Sequence, residues 1–295
     1  MKYVCLRDDD TSYFTDYTEL KNAYAGILGR YPITLATVPF VHGSEVKIKE
    51  YDLEENKFSK LHTWEKDATV EELTEYYKIH PIGENISLIN NLNNYIKSGL
   101  IEIAQHGVTH RYNERGAEMF SDSASIYDIR AGKEYLEKCF KMDIQTFIPP
   151  SNTLDIKSAK RIDTLGMHIF SSGTPKGATI FEKILSCISD PSPVIEKISR
   201  YRQNAPYKTR NGLFVISSFT FGNNYNYDEL LNRITNQLNK YGVVGLGTHY
   251  WFLNQNEKNR EDYQKLIEEI SKIEDVCFLT ATEYYEMARN KLGGK

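Results

Sequence analysis

The sequence contains little that would suit a membrane or a nucleic acid. It has no apolar run near the roughly 20 residues that cross a bilayer. Its N-terminus is not typical of a signal peptide, because a strand-like run followed by three aspartates begins at Tyr3. Basic residues are not in excess, since 36 Lys and Arg stand against 40 Asp and Glu, for a net charge of −4. We therefore expect a cytoplasmic protein with neither membrane insertion nor a nucleic-acid partner.

Cysteine is also scarce, and the few copies are scattered along the chain. No two of them have the spacing of a metal-binding or redox-active pair. This distribution predicts reduced thiols in an intracellular protein. The four cysteines are Cys5, Cys139, Cys187 and Cys277.

What the sequence does contain is a repeated alternation of short apolar runs with amphipathic segments. The runs are rich in Val, Ile, Leu or Phe, which is typical of parallel strands that are buried on both faces. The predicted strands are Tyr3–Arg7, Thr34–Pro39, Ile101–Gln105, Thr146–Pro149, Met167–Phe170, Leu213–Ser217, Val243–Thr248 and Val276–Leu279.

Helical patterns separate these strands. Apolar residues recur at three- and four-residue steps over Ile86–Ile96, Leu230–Tyr241 and Tyr263–Ile273, each just before a predicted strand. Repeated strand–helix units of this kind predict an α/β protein whose parallel sheet is closed, or nearly closed, into a barrel. An open doubly wound sheet is the alternative, because the number of strands does not by itself establish closure.

The charged stretch His42–Pro81 fits this alternation poorly and is longer than an ordinary connection. We interpret it as an insertion near residues 42–81 that covers one face of the barrel. It is either a lid or substrate wall, or a surface excursion without function. Since the sequence shows no internal repeat, low-complexity tract or domain boundary, we predict a single domain over residues 1–295.

Three consecutive aspartates, Asp8, Asp9 and Asp10, follow the first predicted strand. Adjacent carboxylates repel one another, and a cation or a neighbouring arginine relieves that repulsion. In parallel α/β folds the active site lies at this end of the strands, which favours a functional role over a solvated acidic turn. A glycosyltransferase D-x-D pair and a phosphatase D-x-D-x-T motif are alternatives, although Thr11 stands one place too early for the phosphatase motif.

A second signal, which neither alternative explains, follows the strand Ile101–Gln105. His106 and His110 are four residues apart, so a single helical turn would direct both imidazoles the same way. Two histidines, one carboxylate and a water make a common open metal site. Together with the aspartates, the pair favours a divalent metal, most often zinc in such sites, over two loop histidines that cap local backbone groups.

These motifs resemble those of the polysaccharide deacetylase superfamily, which includes carbohydrate esterase family four. The family's first motif is a strand that ends in two aspartates, and Asp9 and Asp10 match it best, with Asp8 as an ambiguous extra. Its His-x-x-x-His motif is matched by His106 and His110.

Further motifs match more loosely. The run YPITLATVPF is similar to the family's second strand, and Phe147–Asn152 matches only part of the third motif. A histidine after a late strand, the final motif, corresponds to His249. The resemblance spans Tyr3–Trp251. One departure is Ile148, which stands where many members have the arginine that steadies the catalytic base, and Arg7 is a candidate to replace it by its proximity in sequence.

The resemblance implies a distorted (β/α) barrel of seven or eight mostly parallel strands that holds one divalent metal ion. It implies that Asp10, His106 and His110 bind the metal, that Asp9 is the catalytic base and that His249 is the catalytic acid.

The same resemblance places Pro150, Ser151 and Asn152 at the substrate and the developing oxyanion, although Pro150 has no N–H to donate. Trp251 is a candidate wall for the acetyl methyl group. Ser151 replaces an aromatic residue that shapes the family's groove, so the substrate is expected to differ.

The function implied is a metal-dependent hydrolase that removes an acetyl group from an N-acetylated or O-acetylated carbohydrate. Because no export signal is evident, a sugar intermediate of surface-polysaccharide assembly is the expected substrate. The alternative is a barrel that binds metal or carbohydrate with weak or no catalysis. The missing arginine favours that alternative, whereas the second carboxylate, Asp9, speaks against it. The sequence leaves the oligomeric state open.

Overall fold

The secondary structure follows the predicted alternation. The computed structural model describes residues 1–50, 57–113, 116–120, 124–171, 206–208 and 214–292. Its strands are β1 (Lys2–Thr11), β2 (Ile33–Thr37), β3 (Phe40–His42), β4 (Ile79–Pro81), β5 (Ile101–His106), β6 (Tyr112–Asn113), β7 (Gly116–Ala117), β8 (Thr146–Ile148), β9 (His168–Phe170), β10 (Tyr207–Lys208), β11 (Phe214–Ile216), β12 (Ser218–Thr220), β13 (Val243–Thr248) and β14 (Val276–Leu279).

Helices pack around this sheet and connect most of its strands. They are α1 (Tyr17–Ala23), α2 (Ser44–Glu50), α3 (Lys57–Asp67), α4 (Val70–Tyr77), α5 (Ile86–Lys97), α6 (Ile126–Phe140), α7 (Ile156–Thr164), α8 (Tyr227–Tyr241), α9 (Tyr250–Leu253), α10 (Glu257–Ser271) and α11 (Ala281–Leu292), with short 3-10 turns at Ile82–Glu84 and Pro150–Asn152. Several begin at a side chain that caps the first turn, such as Ser125 before α6 and Asn226 before α8.

The main sheet curls into a nearly closed barrel. Its parallel neighbours run in the order β13, β1, β2, β5, β8, β9. The stretch 214–220 then joins the two ends, because β11 pairs with β9 and β12 pairs with β13 on either side of a break at Ser217. β14 adds a further parallel partner along the first half of β1. If 214–220 is counted as one strand, the described residues give eight parallel strands, so the predicted distorted (β/α) barrel is confirmed.

Alternate residues of the strands face two different cores. Val4 and Leu6 belong to the larger cluster, which the surrounding helices cover. Cys5, between them, belongs to a second cluster that also contains Ala36 and Ala104. Because side chains on a strand alternate between its faces, this second cluster fills the interior of the barrel, where small residues leave room for the opposite strands.

The C-terminal helix α11 closes the bottom of the barrel. The buried carboxylate of Glu102 accepts hydrogen bonds from the backbone N–H of Thr282 (3.0 Å) and from its hydroxyl (2.6 Å). A carboxylate is favourable at a helix N-terminus, where backbone N–H groups lack partners. Tyr284 of the same helix packs into the interior cluster. The opposite rim, where the strands have their carboxyl ends, is therefore the end at which a site can form.

The segment predicted as an insertion is helical. Helices α2, α3 and α4 lie between β3 and β4, which form a separate antiparallel pair. Ile48, Leu61, Tyr76 and Trp64 give this segment a small apolar cluster of its own. Whether residues 1–295 form one domain stays a prediction, because several ranges lie outside the described residues.

All eight predicted strands correspond to observed ones, although Leu213 lies outside the described residues. Cys5, Cys139 and Cys277 are free thiols, and Cys187 also lies outside the described ranges. Within the described part of the chain, no helix combines the length and the apolar character that a membrane crossing requires.

Candidate metal centre

A β-bulge places two neighbouring aspartates at the same site. Between Asp8 and Thr11 strand β1 advances by three residues, whereas its partner β2 advances by only two, from Leu35 to Thr37. The extra residue breaks the alternation of side chains, as bulges beside active sites often do. Asp10 takes a left-handed backbone conformation there, with φ of 73°. In a regular strand Asp9 and Asp10 would face opposite ways. Because of the bulge, both side chains lie at the rim of the barrel.

Asp8 points away from this rim. It is fully buried and accepts a hydrogen bond from the hydroxyl of Tyr24. Burial raises the pKa of the Asp8 carboxyl well above its ordinary value, although the Tyr24 hydroxyl partly opposes that shift. Asp8 is thus separated from the two carboxylates that face the site.

Asp10, His106 and His110 converge on one point. Their ligand atoms all lie within 4.8 Å of one another, and no other such group occurs among the described residues. Oδ1 of Asp10 is 3.2 Å from Nε2 of each histidine. The three side chains are buried or nearly so, at 2–13% of their full exposure. The residues predicted from two separate motifs thus form one cluster of nitrogen and oxygen donors.

The second nitrogen of each imidazole has a partner that fixes the ring. Nδ1 of His106 lies 2.8 Å from the backbone carbonyl of Ile148, and Nδ1 of His110 lies 2.8 Å from Oε2 of Glu45. Both partners can only accept a hydrogen bond, so each Nδ1 carries a hydrogen. The Nε2 atoms are left to face Asp10, which is the arrangement found around metal-binding histidines.

The loop that carries the two histidines is a bend, and the expectation of a helical turn was wrong. The buried carboxylate of Glu118 accepts hydrogen bonds from the N–H groups of Val108 (2.7 Å) and Thr109 (3.0 Å). A Cβ added to Gly107, at φ of 65°, would lie 2.6 Å from both Glu118 and Pro150. This packing, together with a left-handed His110, brings the two imidazoles onto the same side without a helix.

Arg7 holds Asp9 through a bidentate ion pair. Its Nε donates to Oδ1 of Asp9 at 2.9 Å, and its Nη2 donates to Oδ2 at 2.7 Å. Nη2 also donates to Oδ1 of Asn152 (2.9 Å), and Nη1 to the carbonyl of Phe170 (3.3 Å). Arg7 is 2% exposed, and the Asp9 carboxylate balances its buried charge. Ile148, where the resemblance implied an arginine, contributes its backbone carbonyl to His106.

His249 and Trp251 approach the second oxygen of Asp10. Nε1 of Trp251 donates to Oδ2 at 3.2 Å, and Nε2 of His249 lies 3.6 Å from the same atom. The His249 side chain keeps 27% of its exposure, so it stands at the rim, and it lies outside the ligand group of Asp10, His106 and His110. The indole N–H of Trp251 is therefore engaged with a carboxylate, a contact that the sequence did not predict.

The electrostatics of the cluster are dominated by Asp10 and His110. Burial raises the pKa of Asp10, but the charge of His110 and hydrogen bonds from both imidazoles outweigh it and hold the pKa well below its ordinary value. Burial lowers the pKa of His110, yet Glu45 and Asp10 together raise it well above its ordinary value. The two pKa shifts are opposite because the Asp10 carboxylate and the His110 imidazole are in close contact.

The turn Pro150–Asn152 forms the adjoining wall. Ser151 and Asn152 have φ of 53° and 50°, and with Asp10 and His110 they make four of the seven non-glycine residues with positive φ in the described chain. Such conformations cost ~1–3 kcal/mol each and cluster at functional sites. The Asn152 N–H is bonded to the Pro149 carbonyl at 3.0 Å. Asn152 is thus engaged within the turn and with Arg7.

Two functional candidates escaped the sequence reasoning. Glu45 lies 65 residues from the histidine that it contacts, and Glu118 lies in a segment with no strong periodicity. Neither belongs to a recognisable motif. Glu45 reaches His110 only through the packing of distant segments, whereas Glu118 binds the backbone between His106 and His110.

No family model and no curated protein matches this chain. Among solved structures, a family 4 acetyl xylan esterase from Clostridium thermocellum in complex with a cobalt ion is 12% identical, with a TM-score of 0.51 and coverage of 97% of this chain and 91% of that chain.

Two further solved structures are similar. A CE4 family pseudoenzyme from Bacillus anthracis is 12% identical, with a TM-score of 0.48, and covers 97% of this chain and 66% of that one. A polysaccharide deacetylase from Bacillus cereus is 9% identical, with a TM-score of 0.45 and coverage of 95% and 92%. At such identities the likeness concerns the fold. The chain has a barrel similar to that of the family 4 acetyl xylan esterase.

Proposed function

We propose that this chain, which has the barrel of the family 4 carbohydrate esterases, is a metal-dependent hydrolase that removes an acetyl group from a carbohydrate. One observation carries the proposal: two adjacent carboxylates have separate partners. Asp10 lies with His106 and His110, whereas Asp9 is bound to Arg7. A site that only bound metal would not need the second carboxylate or its arginine.

The donor set fits one divalent metal ion, and we propose zinc. Two imidazole nitrogens and one carboxylate oxygen face a common point, and both Nδ1 atoms are occupied by other partners. Three such ligands with a position left for water are typical of catalytic zinc sites. When bound, a divalent metal polarises a carbonyl and lowers the pKa of water towards ~7.

Asp9 is the proposed general base. Arg7 fixes both carboxylate oxygens of Asp9, and each oxygen keeps a lone pair with which to take a proton. The side chain is 8% exposed but lies beside Asp10, at the rim where a substrate arrives. A base that is held in one orientation needs no reorganisation when the proton moves.

His249 is the proposed general acid for the leaving group. Its ring is partly exposed and lies on the Asp10 oxygen that faces away from His106 and His110. A proton donor must stand within hydrogen-bond reach of the leaving atom. We propose Pro150, Ser151 and Asn152 as the wall of the substrate site. Trp251 is placed to orient Asp10, a role that adds to the contact with the acetyl group proposed for it.

The substrate that we propose is an N-acetylated sugar, with an O-acetylated one as the second choice. The alternative function, a barrel that binds metal or carbohydrate without hydrolysis, was favoured by the missing arginine at position 148. Arg7 contacts both carboxylate oxygens of Asp9, at 2.7 and 2.9 Å, and this contact supports the hydrolase over that alternative.

The test combines metal analysis of the purified protein with acetate release from a panel of acetylated sugars. We expect Asp9→Asn to keep the metal and lose on the order of 10²–10⁴-fold in rate, because it removes a general base. Asp10→Asn should lose both metal and activity. Asp8→Asn, which alters the neighbouring carboxylate facing Tyr24, is the matched control and should change neither. Loss of metal in Asp9→Asn would mean that the two roles are exchanged.

A further inference from the structure

Glu45 belongs to the segment 42–81 and yet touches a metal ligand. It is the second residue of α2 and is 5% exposed. Its Oε2 lies 2.8 Å from Nδ1 of His110, and the two side chains keep only 6% and 8% of their exposure. A buried carboxylate at this distance from an imidazole makes a strong, charge-assisted hydrogen bond.

Backbone hydrogen bonds hold the start of the segment against the ligand loop. The N–H of Phe40 donates to the carbonyl of Val108 (3.1 Å), and the N–H of His42 donates to that of Thr109 (2.9 Å). Residues 40–42 and 108–109 therefore lie side by side immediately before His110. Nδ1 of His42 accepts the N–H of Ser44 at 3.2 Å, which begins α2. Glu45 comes next, directed at His110.

The other side of the same turn is fixed by α4. The N–H of Gly43 donates to the carbonyl of Lys78 at 2.8 Å. A Cβ added to Gly43 would lie 2.0 Å from the carbonyl oxygen of Glu75, so the backbones are in direct contact. The position of Glu45 is thus set by the ligand loop on one side and by the inserted helices on the other.

We propose that Glu45 is a positioning residue of the metal centre, whose carboxylate accepts the Nδ1–H of His110 and so directs the Nε2 lone pair towards the metal. The inference rests on the proposed function, because it presumes the metal site of Asp10, His106 and His110. It gives the segment 42–81 a defined task, which is to complete the support of one ligand. His106 receives its support from the barrel itself, through the carbonyl of Ile148.

The experiment measures zinc affinity by competition with a chelator, with no substrate present. Partners that orient a metal-binding histidine are typically worth 10–100-fold in metal affinity, so Glu45→Ala should weaken binding by about that factor. The zinc affinity of Glu45→Gln should lie between those of the wild type and Glu45→Ala. Its amide oxygen still accepts the Nδ1–H of His110, but the negative charge is lost. Glu50→Ala is the matched control, since Glu50 lies on the same helix and pairs with Lys47. It should bind zinc as the wild type does.

A second measurement separates positioning from simple support of the fold. The ¹⁵N shifts of His110 in the zinc-loaded protein should show a protonated Nδ1 and a metal-bound Nε2 in the wild type, and a mixture or loss of this pattern in Glu45→Ala. Denaturant unfolding of the metal-free proteins should differ much less than their zinc affinities do. Equal zinc affinity in wild type and Glu45→Ala, or an unchanged His110 tautomer, would overturn the inference and leave the proposed function standing. A wild type that binds no zinc would overturn both.

Discussion

At the scale of single residues, the arginine that contacts Asp9 is at position 7 and not at position 148. Position 148, where the resemblance in sequence implies an arginine, holds Ile148, which is fully buried. Arg7 and Asp9 are two apart on one strand, so their side chains share a face and meet without help from another segment. Because Arg presents a planar fork that matches a carboxylate, a lysine cannot reproduce both hydrogen bonds.

We therefore expect Arg7→Lys to retain metal and lose activity. The single ammonium keeps the charge but lets the Asp9 carboxylate rotate, and a misplaced catalytic group can cost about 10²-fold. Acetate release and metal content are measured on the same preparation. Arg30→Lys is the control, since Arg30 is exposed and stacks on Tyr31. If Arg7→Lys released the metal, Arg7 would be acting on the ligands instead of the base.

A second prediction at this scale concerns His249. If it protonates the leaving group, His249→Ala should bind metal normally and lose most activity on N-acetyl sugars, whose amine is a poor leaving group. An activated aryl acetate, which needs little protonation, should be hydrolysed almost as before. His62→Ala, at an exposed histidine of α3, serves as the control. Equal losses on the two substrates would refute the acid role.

At the scale of elements, the segment 42–81 is tied to the barrel through His42. The residue is 8% exposed, and its ring begins α2 by accepting from Ser44. Burial, reinforced by Arg111 and opposed by Glu65, lowers the pKa of His42 to about 4. A histidine with a lowered pKa stays neutral in the folded protein while the unfolded chain takes up a proton. Its stabilising effect is complete above pH ~6.5 and is lost as the pH falls towards 4.

Removal of this titrating group should flatten the acid side of the stability curve. His42→Asn keeps an acceptor for the Ser44 N–H, because asparagine is a good N-cap residue, but cannot be protonated. Between pH 7.5 and 4.5 the free energy of unfolding of the metal-free wild type should fall more than that of His42→Asn, by on the order of 1 kcal/mol after solvent screening. Urea titrations at both pH values measure this, with His62→Asn as the control. Parallel curves for wild type and His42→Asn would show that His42 titrates normally.

The sequence predicted most strands of the barrel but not the pair β3–β4 or the contacts between distant segments. The parallel strands were predictable because each is an apolar run between helical patterns, and Asp10 and His106 were predictable because they follow such strands. The pair β3–β4 was missed, since each strand is only three residues long. Strand β12 was missed because the break at Ser217 depends on pairing with two different strands, β9 before it and β13 after it. Glu45 could not be foreseen, because its place depends on how the inserted helices seat against the ligand loop.

At the scale of the whole molecule, the three residues of the candidate metal centre come from segments that are far apart in sequence. Asp10 lies near the end of β1, whereas His106, the last residue of β5, and His110 come about 100 residues later. The bulge, the bend and the barrel must all be formed before the three donors converge. Metal binding should therefore favour the folded barrel strongly over the unfolded chain.

Zinc should raise the free energy of unfolding by about 2.7 kcal/mol when free zinc is 100 times its dissociation constant. The effect should vanish in His106→Ala, which lacks a ligand, and persist in His249→Ala. Urea unfolding with zinc held by a metal buffer, and with chelator alone, gives the difference. Equal stabilisation of wild type and His106→Ala would place the ion elsewhere in the molecule.

The local pairing of Arg7 with Asp9 also has a consequence for protein engineering. An arginine donated to Asp9 from the segment after β8 would make any graft of new sequence there a threat to the proposed base. Here that strand contributes only a backbone carbonyl to His106, which any residue at position 148 retains. In the turn that follows, the exposed Ser151 is thus open to library design, whereas Asn152 accepts a hydrogen bond from Arg7 and is best kept. For the proposed deacetylase, this turn is the place to vary sugar preference while Asp9 keeps its ion pair with Arg7.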